Sequence, residues 1–512
     1  MTNAHPSMAV HFHQRTKYDP DTLAQKSGGL DWTKQPSPYK EYKVGTAYDL
    51  KPYLGNDQEL VHQQSPPWLW WYRLSQLCLY SYGLTAKVPT ITGESYYLRA
   101  APSAGGLYPT EMYLVNGEGL WHYQPRTHSL IHFWDDRQAW QKLQTACFDH
   151  PAFQVTHTAL VLTTIFYRSA WRYQDRAYRR VFLDGGHLLG NIELACALSD
   201  FRPHLIGGFA DELVNELLFL QPTQEATIAI LPLQDLQQEL EISGSFGCHT
   251  LASAITPVTE TIQEGELLMA LHQATLIPPH AYQKNSTCTE SIDDYDKYNF
   301  PFCARCSTKT APIDWGEDLE RLGTAILRRR STRAFTGGAI TKDQLDQVLN
   351  FAYQPTDYVD QGLDGSPDYF DLNLIETFIA VTNVEGIEAG CYYYACQSQE
   401  LRQIRFKNFR KELHFLCLGQ DLGKDASAVI FHTADLDKAI NKYGDRAYRY
   451  LHMDAGHLGQ KINLAAVYLG LGVSGIAGFF DDQVNEVLGI PPSEAVLYIT
   501  TLGIPSPMGA MV

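Results

Sequence analysis

The chain has 512 residues, of which 45% are hydrophobic and 12% aromatic, enough to fill the cores of two domains of ordinary size. Its 57 acidic residues outnumber its 40 basic residues and give a net charge of −17, which argues against general binding to nucleic acids or to anionic membranes. Any site for an anion must therefore be local.

The N-terminal region shows no pattern typical of a secretory signal. The first twenty residues, MTNAHPSMAVHFHQRTKYDP, contain no continuous apolar segment of the secretory kind, which predicts a cytoplasmic protein. Residues 1–60 include the irregular stretch GGLDWTKQPSPYKEY and are predicted to form an arm without a counterpart in the second half. The only CxxC pair, CARC at Cys303–Cys306, lacks the further ligands of a structural zinc site, so no metal is predicted.

The sequence RAAPSAGGLYP, Arg99–Pro109, places proline, serine, alanine and two glycines in a row ahead of a predicted strand. Small residues let backbone approach a flat ligand closely, and a serine with free backbone amides can bind its polar edge. An ordinary tight turn would have the same composition. The pattern alone leaves both interpretations open.

A segment of 46 residues occurs twice, from Asp175 and again from Asp445, with 20 identical positions and no gap. Two copies at this similarity indicate duplication of a whole unit. Each copy predicts a buried helix, a turn, a Gly-Phe pair and an amphipathic helix. The second copy contains an uncharged run long enough to span a bilayer, Ile462–Phe480, but the first copy has Asp200, Arg202 and His204 in the matching region, which argues against a membrane span.

The remaining strand patterns repeat in the same order in both halves. TEMYLVNGEGLWHYQPRTHSLIHF and IETFIAVTNVEGIEAGCYYYACQSQEL each predict a hairpin. ALVLTTIFY and SAVIFHTAD predict a strand before each long helix, and EATIAILPL and EAVLYITTLG predict a returning strand. The order predicts an α+β fold made of two fused α/β sandwich halves, related as an intramolecular pseudo-twofold dimer.

These patterns divide the chain into four regions. Residues 1–60 are the predicted N-terminal arm, 61–255 the first half, 256–313 a polar, turn-rich linker and 314–512 the second half. Whether two such chains associate further is left open by the sequence.

The sequence RRRSTRAF, Arg328–Phe335, clusters four arginines with a serine and a threonine after a probable helix of the second half. Guanidinium groups and a hydroxyl suit a phosphate monoester, which accepts several charge-assisted hydrogen bonds. A solvated basic helix end would carry similar residues.

The two halves differ at these two features. Aligning Glu111 with Glu376 sets PSAGG opposite PDYFD, Pro367–Asp371, where the small residues are lost. Conversely, the first half has no arginine cluster before its first helix. One half keeps a phosphate site and the other a platform for a flat ligand. This predicts one surviving site, shared by both halves, and a second that has decayed.

These motifs together resemble a known family. RRSTRAF is similar to the flavin-phosphate segment of nitroreductase-fold flavoproteins, and RAAPSAGGLYPTE with the repeated segment resembles their SagB-type branch, the azoline dehydrogenases of ribosomal-peptide biosynthesis. The resemblance covers about residues 60–250 and 315–505. It implies FMN as the cofactor, bound at the interface of the two halves.

The resemblance also implies residue roles. The FMN phosphate and ribityl chain would be held by Arg329, Ser331 and Arg333. The isoalloxazine would lie along Pro102, Ser103, Ala104 and Gly106. The backbone amides of Ala477 and Gly478 would face flavin N5, where negative charge develops on reduction. Their first-half equivalents, Gly207 and Gly208, would border the decayed site. Relatives often have a basic residue after the final strand, which this chain lacks.

Azoline dehydrogenases share a Lys-Tyr pair before the R.YR segment, which here corresponds to Lys442 and Tyr443 in the second half and to Arg172 and Tyr173 in the first. Oxidising an azoline removes a Cα proton while hydride leaves the neighbouring carbon, so a base must stand opposite the flavin. The family arrangement favours Tyr173 with Arg172. Because arginine cannot act as a base, Tyr173 would carry the proton and Arg172 would lower its pKa.

The leading interpretation is an FMN-dependent oxidase that converts thiazolines or oxazolines to azoles in a modified precursor peptide, with O2 as electron acceptor. A cyclodehydratase is then the candidate protein partner. Three alternatives remain: an NAD(P)H-dependent nitro or quinone reductase, an FMN-dependent dehydrogenase of a carrier-bound or small substrate, and a flavin-stabilised module that binds peptide. No Gly-x-Gly-x-x-Gly motif follows a predicted strand, so a Rossmann nicotinamide site is not indicated.

Overall fold

A computed structural model describes residues 5–23, 29–55, 65–89, 95–238, 249–280 and 294–507. Parts of the predicted arm and of the predicted linker therefore lie outside the described residues. Within the described residues the chain forms two halves of the same architecture, each built on a seven-stranded antiparallel sheet. The predicted fold class, two fused α/β sandwich halves, is confirmed.

The first half contains one continuous sheet and a separate pair of strands. Its strands are β1 (Thr46–Asp49), β2 (Leu84–Pro89), β3 (Ser95–Arg99), β4 (Thr110–Asn116), β5 (Gly119–Gln124), β6 (Ser129–Asp135), β7 (Thr158–Ile165), β8 (Phe201–Pro203) and β9 (Glu225–Asp235). Its helices are Pro66–Tyr82, Ala139–Ala146, Phe166–Tyr173, Ala177–Ala197 and Asp211–Leu217. The large sheet has the order β1-β6-β5-β4-β7-β9-β8, and β2 pairs with β3.

The second half repeats this plan. Its strands are β10 (Arg305–Ser307), β11 (Glu376–Val381), β12 (Gly390–Ala395), β13 (Glu400–Arg405), β14 (Ala428–Asp435), β15 (Gly472–Ile476) and β16 (Glu494–Gly503). Its helices are Glu320–Arg328, Lys342–Tyr353, Arg410–Leu416, Asp421–Asp425, Leu436–Tyr443, Ala447–Tyr468 and Asp481–Leu488. The sheet order β10-β13-β12-β11-β14-β16-β15 matches that of the first half strand for strand. The predicted strands are confirmed, and each predicted hairpin belongs to a run of three antiparallel strands.

Two long helices from the duplicated segment, Ala177–Ala197 and Ala447–Tyr468, pack against each other at the centre of the molecule. Glycine permits the close approach: a Cβ added to Gly186 would lie 2.1 Å from the carbonyl oxygen of Met453, and one added to Gly456 would lie 2.3 Å from that of Leu183. We call these the central helices. Their contact makes the pseudo-twofold interface part of the hydrophobic core.

The apolar run Ile462–Phe480 is divided between the end of the second central helix and strand β15. Among the described residues no helix combines the length and apolarity that a membrane span requires.

The N-terminal arm has a structural counterpart. Helix Met8–Arg15 begins where the backbone N–H of Ala9 donates to Asp445 Oδ1 at 2.9 Å. Helix Leu267–Ala274 begins where the N–H of Leu268 donates to Asp175 Oδ1 at 3.0 Å. Each of these helices is therefore capped by the aspartate of a duplicated DRAYR sequence.

The edge strands show the same correspondence, since β1 adds to β6 and β10 adds to β13. A shift of 259 residues places the HQRT of His13–Thr16 on the HQAT of His272–Thr275. The arm thus has its counterpart among the residues predicted as a linker, outside the predicted second half. The boundaries at residues 60, 255 and 313 stay predictions.

The repeated arginines of DRAYR join the two halves through buried ion pairs. Arg176 Nη1 lies 2.8 Å from Asp481 Oδ2, and Arg179 Nη1 lies 2.6 Å from Asp481 Oδ1. On the other side of the pseudo-twofold axis Arg446 and Arg449 contact Asp211 at 2.6 and 2.9 Å in the same way. We call these two groups the Asp481 clamp and the Asp211 clamp. They explain why both halves keep DRAYR and the aspartate after Gly-Phe.

Candidate functional site

The arginine cluster reaches from the second half into the first. It follows helix Glu320–Arg328, where the chain leaves the helix. Arg329 Nε donates to the carbonyl oxygen of Ala100 at 2.7 Å, just ahead of the PSAGG sequence, and Arg330 Nη2 donates to that of Thr85 at 2.7 Å. The structure therefore brings together the two features that the sequence analysis assigned to one shared site.

This cluster carries positive charge that protein carboxylates do not neutralise. Within the described ranges no carboxylate forms an ion pair with Arg329, Arg330 or Arg333. Arg329 is buried, its Nη1 has no hydrogen-bond partner among the described residues, and burial lowers its pKa to about 10. A buried cation without a counter-ion is costly, so an anionic ligand suits this position. Ser331 is half-buried beside it, and Arg333 is exposed.

The PSAGG sequence forms a tight loop held by one buried carboxyl group. Asp184, on the first central helix, accepts hydrogen bonds from Ser103 Oγ at 2.6 Å and from the N–H of Ala104 at 3.0 Å. Gly105 and Gly106 follow with φ of 65° and 64°, a left-handed conformation that favours glycine. Pro102 and Ser103 are half-buried, as are Ala104 and Gly106. The loop thus offers a small, flat surface that Asp184 holds in place.

Two backbone amides are free just after strand β15. Strand β15 ends at Ile476, and the N–H groups of Ala477 and Gly478 find no acceptor within the described residues. Both residues are half-buried. Adjacent unpaired amides can stabilise negative charge on a bound group.

The equivalent amides of the first half are hydrogen-bonded within the protein. The N–H groups of Gly207 and Gly208 donate to the carbonyl oxygen of His249 at 2.9 and 2.8 Å. The ring of Phe370 stacks on that of Tyr450 at 4.7 Å, and a Cβ added to Gly207 would lie 2.4 Å from the Phe370 ring. Protein groups thus fill the space that the PSAGG loop and the free amides leave on the other side. We call the site with the PSAGG loop and the amides of Ala477 and Gly478 the open site, and the site with the amides of Gly207 and Gly208 the closed site. That only the open site binds a ligand stays a prediction.

Tyr173 stands against the PSAGG loop, as the sequence analysis favoured. A Cβ added to Gly105 would lie 2.7 Å from Tyr173 Oη and 3.4 Å from Arg172 Nη1. Burial raises the pKa of Tyr173 above its usual value, although Arg180 and Arg172 oppose this shift. Arg172 does lower this pKa, as predicted, but burial has the larger effect, so the net shift of the Tyr173 pKa is upward. Tyr173 is therefore suited to donate a hydrogen bond as a neutral phenol.

Lys442 and Tyr443 lie at the closed site. Both contact the same carboxylate, with Lys442 Nζ 2.5 Å and Tyr443 Oη 3.0 Å from Asp371 Oδ2. Asp371 belongs to the PDYFD sequence that replaces PSAGG in this half. The structure therefore places the two candidate pairs on opposite sides of the pseudo-twofold axis, and only Arg172 and Tyr173 face the open site.

Arg180 of the open site was not singled out by the sequence analysis. Arg180, on the first central helix, places its guanidinium 3.8 Å from the Tyr173 ring centroid and donates to the carbonyl oxygen of Ala477 at 3.3 Å. Its counterpart is Tyr450, which fills the closed site. The aligned repeats showed this difference, so a comparison of all unmatched positions would have found it.

A cleft of about 500 Å³ opens beside Tyr173. One wall is the helix Phe166–Tyr173, and the other is formed by arm residues from the ranges 15–23 and 29–34. The arm is fastened by Trp171 Nε1, which donates to the carbonyl oxygen of Asp31 at 3.1 Å. The volume lies within the range of small-molecule pockets, about 300 to 1,000 Å³.

The open site fits a flavin mononucleotide in the chemistry of its donors. Uncompensated arginines suit the phosphate, the PSAGG loop suits the flat ring system, and the amides of Ala477 and Gly478 suit the ring edge that gains negative charge. The three groups come from both halves. Neither half alone holds the complete set.

The carboxyl group beneath the loop predicts a pH dependence. Burial raises the pKa of Asp184 to about 7, despite its hydrogen bonds from Ser103 and Ala104. An unfolded chain loses this proton near pH 4, about 3 units lower, so the unfolding free energy falls as pH rises from about 4 to about 7. Asp184→Asn, which stays neutral, is expected to flatten this decline in urea-unfolding measurements.

Asp454 is the matching buried carboxyl group at the other site. It accepts hydrogen bonds from the backbone of Phe370 and Asp371 at the closed site, and burial raises its pKa to about 7 as well. Asp454→Asn should flatten the decline to a similar degree. An unchanged pH slope in both variants would contradict the assignment of the two buried carboxyl groups.

Comparison with known proteins agrees with this geometry. The Nitroreductase family model matches residues 85–233 and 326–504, once in each half. A crystal structure of an Anabaena variabilis protein assigned to the nitroreductases is 60% identical, covers 98% of this chain and 100% of its own, and superposes with a TM-score of 0.91. The chain belongs to the nitroreductase family.

Two curated proteins are similar to parts of this chain. MJ1384 of Methanocaldococcus jannaschii, assigned to the nitroreductases, is 31% identical over 175 residues, which is 34% of this chain and 87% of the relative. The trifolitoxin-processing protein TfxB of Rhizobium leguminosarum is 29% identical over 158 residues, 28% of this chain and 42% of the relative. The second match thus spans less than half of the length of TfxB.

Proposed function

We propose that this chain binds one FMN at the open site and uses it to dehydrogenate azoline rings in a ribosomally made, modified peptide. The observation that carries the proposal is the asymmetry of the two sites. The amides of Ala477 and Gly478 are free beside the guanidinium of Arg180, whereas those of Gly207 and Gly208 are hydrogen-bonded to His249.

The residues present have separate tasks in this proposal. The phosphate and ribityl chain are assigned to Arg329, Ser331 and Arg333, and the ring system to Pro102, Ser103, Ala104 and Gly106. FMN, when bound, supplies the acceptor for a hydride. The amides of Ala477 and Gly478 stabilise the charge that then develops, and Tyr173 orients the substrate from the face of the PSAGG loop.

The proposed substrate follows from the cleft and from the relatives. The cleft beside Tyr173 is open to solvent between the arm and helix Phe166–Tyr173, so a side chain or ring of a longer peptide could enter while the rest stays outside. TfxB is named for the processing of a toxin, trifolitoxin, which favours a peptide substrate. A cyclodehydratase is the class of partner that would supply azolines, and O2 is the proposed final electron acceptor.

The test is oxidation of a synthetic thiazoline peptide by the FMN-loaded protein. We expect loss of two hydrogen atoms by mass spectrometry, together with loss of the flavin absorbance when oxygen is excluded. Tyr173→Phe should slow the reaction by about 10- to 100-fold, the value of a hydrogen bond to a developing charge. Tyr443→Phe, at the closed site, distinguishes the two halves and should retain most of the rate.

Other results would contradict the proposal in defined ways. Rapid loss of the flavin absorbance with NADPH but not with thiazoline or oxazoline peptides would favour a nitro or quinone reductase. Oxidation of only small or carrier-bound azolines would change the substrate class and keep the chemistry. A larger effect of Tyr443→Phe than of Tyr173→Phe would place the reaction in the other half.

A further inference from the structure

Tyr18 of the N-terminal arm lies at the open site, although no motif pointed to it. It follows helix Met8–Arg15, and its backbone N–H donates to Asp481 Oδ2 at 2.9 Å. Its half-buried ring lies 4.1 Å from the guanidinium carbon of Arg176, and the chain at Tyr18 forms a parallel bridge with Phe480. The Asp481 clamp therefore fixes the position of Tyr18.

The phenol of Tyr18 faces the same space as Tyr173. Both residues line the cleft of about 500 Å³. Arg180 connects them, because it lies over the ring of Tyr173 at 3.8 Å and forms a hydrogen bond with the side chain of Tyr18. A Cβ added to Gly478 would lie 4.0 Å from Tyr18 Cε2, so the ring is also adjacent to the free amides.

The charged groups around Tyr18 favour its ionised form. Arg176, Arg179 and Arg180 face it from the first central helix and the turn before it, and Asp481, which faces it from the next half, is paired with Arg176 and Arg179. Burial by itself would raise the pKa of Tyr18, but the three arginines outweigh burial and hold this pKa below its usual value. The shift is opposite in direction to that of Tyr173.

The closed site lacks this arrangement. The shift of 259 residues that relates the two arms places Ile277 opposite Tyr18, and the backbone N–H of Ile277 donates to Asp211 Oδ2 at 2.9 Å, as that of Tyr18 does to Asp481. Tyr450 stands opposite Arg180. The backbone contact is thus shared by both halves, whereas the phenol and the arginine that binds it occur only where the amides are free.

We propose that Tyr18 is the proton acceptor of the open site, with Tyr173 as a neutral hydrogen-bond donor. The inference rests on the proposed function and assigns the base for it. The Tyr18 phenolate takes the Cα proton of the azoline and becomes a phenol. The electron pair of that C–H bond forms the new ring double bond, while a hydride with its own pair leaves the neighbouring carbon for bound FMN, the oxidant.

The first test follows the ionisation of Tyr18 without any substrate. The near-ultraviolet absorbance of tyrosinate is recorded as pH is raised, for the wild type and for Tyr18→Phe. We expect one tyrosine of the wild type to ionise before the others and that step to be absent in the variant. Phenylalanine keeps both the backbone contact with Asp481 and the ring over Arg176, so the fold and FMN affinity should be retained.

The second test follows reduction of bound FMN by a thiazoline peptide in a single turnover at several pH values. Tyr18→Phe should lower the rate by about 10²-fold or more and remove the acidic limb of the pH profile. Tyr48→Phe, an exposed tyrosine on the edge strand β1, should keep both the early ionisation and the rate.

The outcomes separate the inference from the function on which it rests. Failure of the wild type to oxidise any azoline overturns the proposed function, and the role of Tyr18 falls with it. Oxidation at the wild-type rate by Tyr18→Phe, with its acidic limb intact, overturns the role of Tyr18 alone. An early ionisation that persists in Tyr18→Phe likewise assigns the ionising group elsewhere and overturns the inference.

Discussion

Exchanging Arg329 and Arg333 together for glutamine is expected to weaken FMN binding by about 10²- to 10⁴-fold, because each charge-assisted hydrogen bond to the phosphate contributes about 1.5 to 3 kcal/mol. Arg329 is the larger contributor, since it is buried and one of its nitrogens has no partner among the described residues. The measurement is a fluorescence titration with FMN, combined with the amount of flavin released per chain. The wild type should release one FMN per chain.

Two controls separate phosphate binding from a general loss of structure. Arg328→Gln changes an exposed arginine of the same sequence and should leave FMN affinity near that of the wild type. Riboflavin, which lacks the phosphate, should bind the wild type and the double variant with similar affinity. Two flavins per chain in the wild type, or unchanged FMN affinity in the double variant, would mean that the open site has been assigned wrongly.

Asp481→Asn is expected to reduce the free energy of unfolding by about 3 to 5 kcal/mol, the cost of removing one partner from a buried charge network. The carboxylate is bound by Arg176 and Arg179, all three side chains are almost fully buried, and asparagine would leave two guanidinium groups without a counter-ion. Because Asp481 also positions Tyr18 at the open site, FMN binding should weaken together with stability. Chemical unfolding and an FMN titration measure the two effects.

The pseudo-twofold symmetry supplies a matched variant. Asp211→Asn breaks the equivalent clamp of Arg446 and Arg449 beside the closed site, so it should lose similar stability and keep more of its FMN affinity. Asp482→Asn removes an exposed ion pair with Lys17 and should cost at most about 1 kcal/mol. Equal stability of Asp481→Asn and Asp482→Asn would refute the structural role of the clamp.

The duplication made most of the fold predictable. Twenty identities in 46 positions fixed the two long helices, and the alternating strands around them repeat in the same order, so each half constrained the interpretation of the other. The asymmetry of PSAGG and PDYFD also indicated which half carries the open loop. These conclusions depend on local pattern and on comparison within the chain, both of which a single sequence contains.

The arm repeat escaped detection because its signal is short. Only HQ.T recurs between helix Met8–Arg15 and helix Leu267–Ala274, and a shift of 259 differs from the shift of 270 that aligns the long segments. Apolar residues that face a core exchange freely when volume is kept, so the two helices diverged while the polar contacts of Thr16 and Thr275 with the arginines stayed.

The state of each site depended on contacts between distant parts of the chain. His249 lies near the end of the region predicted as the first half, and only the folded chain shows that its carbonyl oxygen accepts hydrogen bonds from the amides of Gly207 and Gly208. The net pKa of Tyr173 could not be read from its neighbour Arg172 either, because burial, a property of the packed structure, outweighs the nearby charge. Tyr18 is brought to the site by the same long-range packing.

The contact between the N-terminal arm and the second half sets an order for biosynthesis. A ribosome releases Ala9 long before Asp445, 436 residues later, to which its amide is bound in the folded protein. The N-terminal helix must therefore wait, undocked, until the second half has been made and folded, since domains fold as they emerge. Docking of the arm is then a late event that also brings Tyr18 to the open site. In the nascent chain the arginine cluster and the PSAGG loop would therefore be in place before Tyr18 joins them.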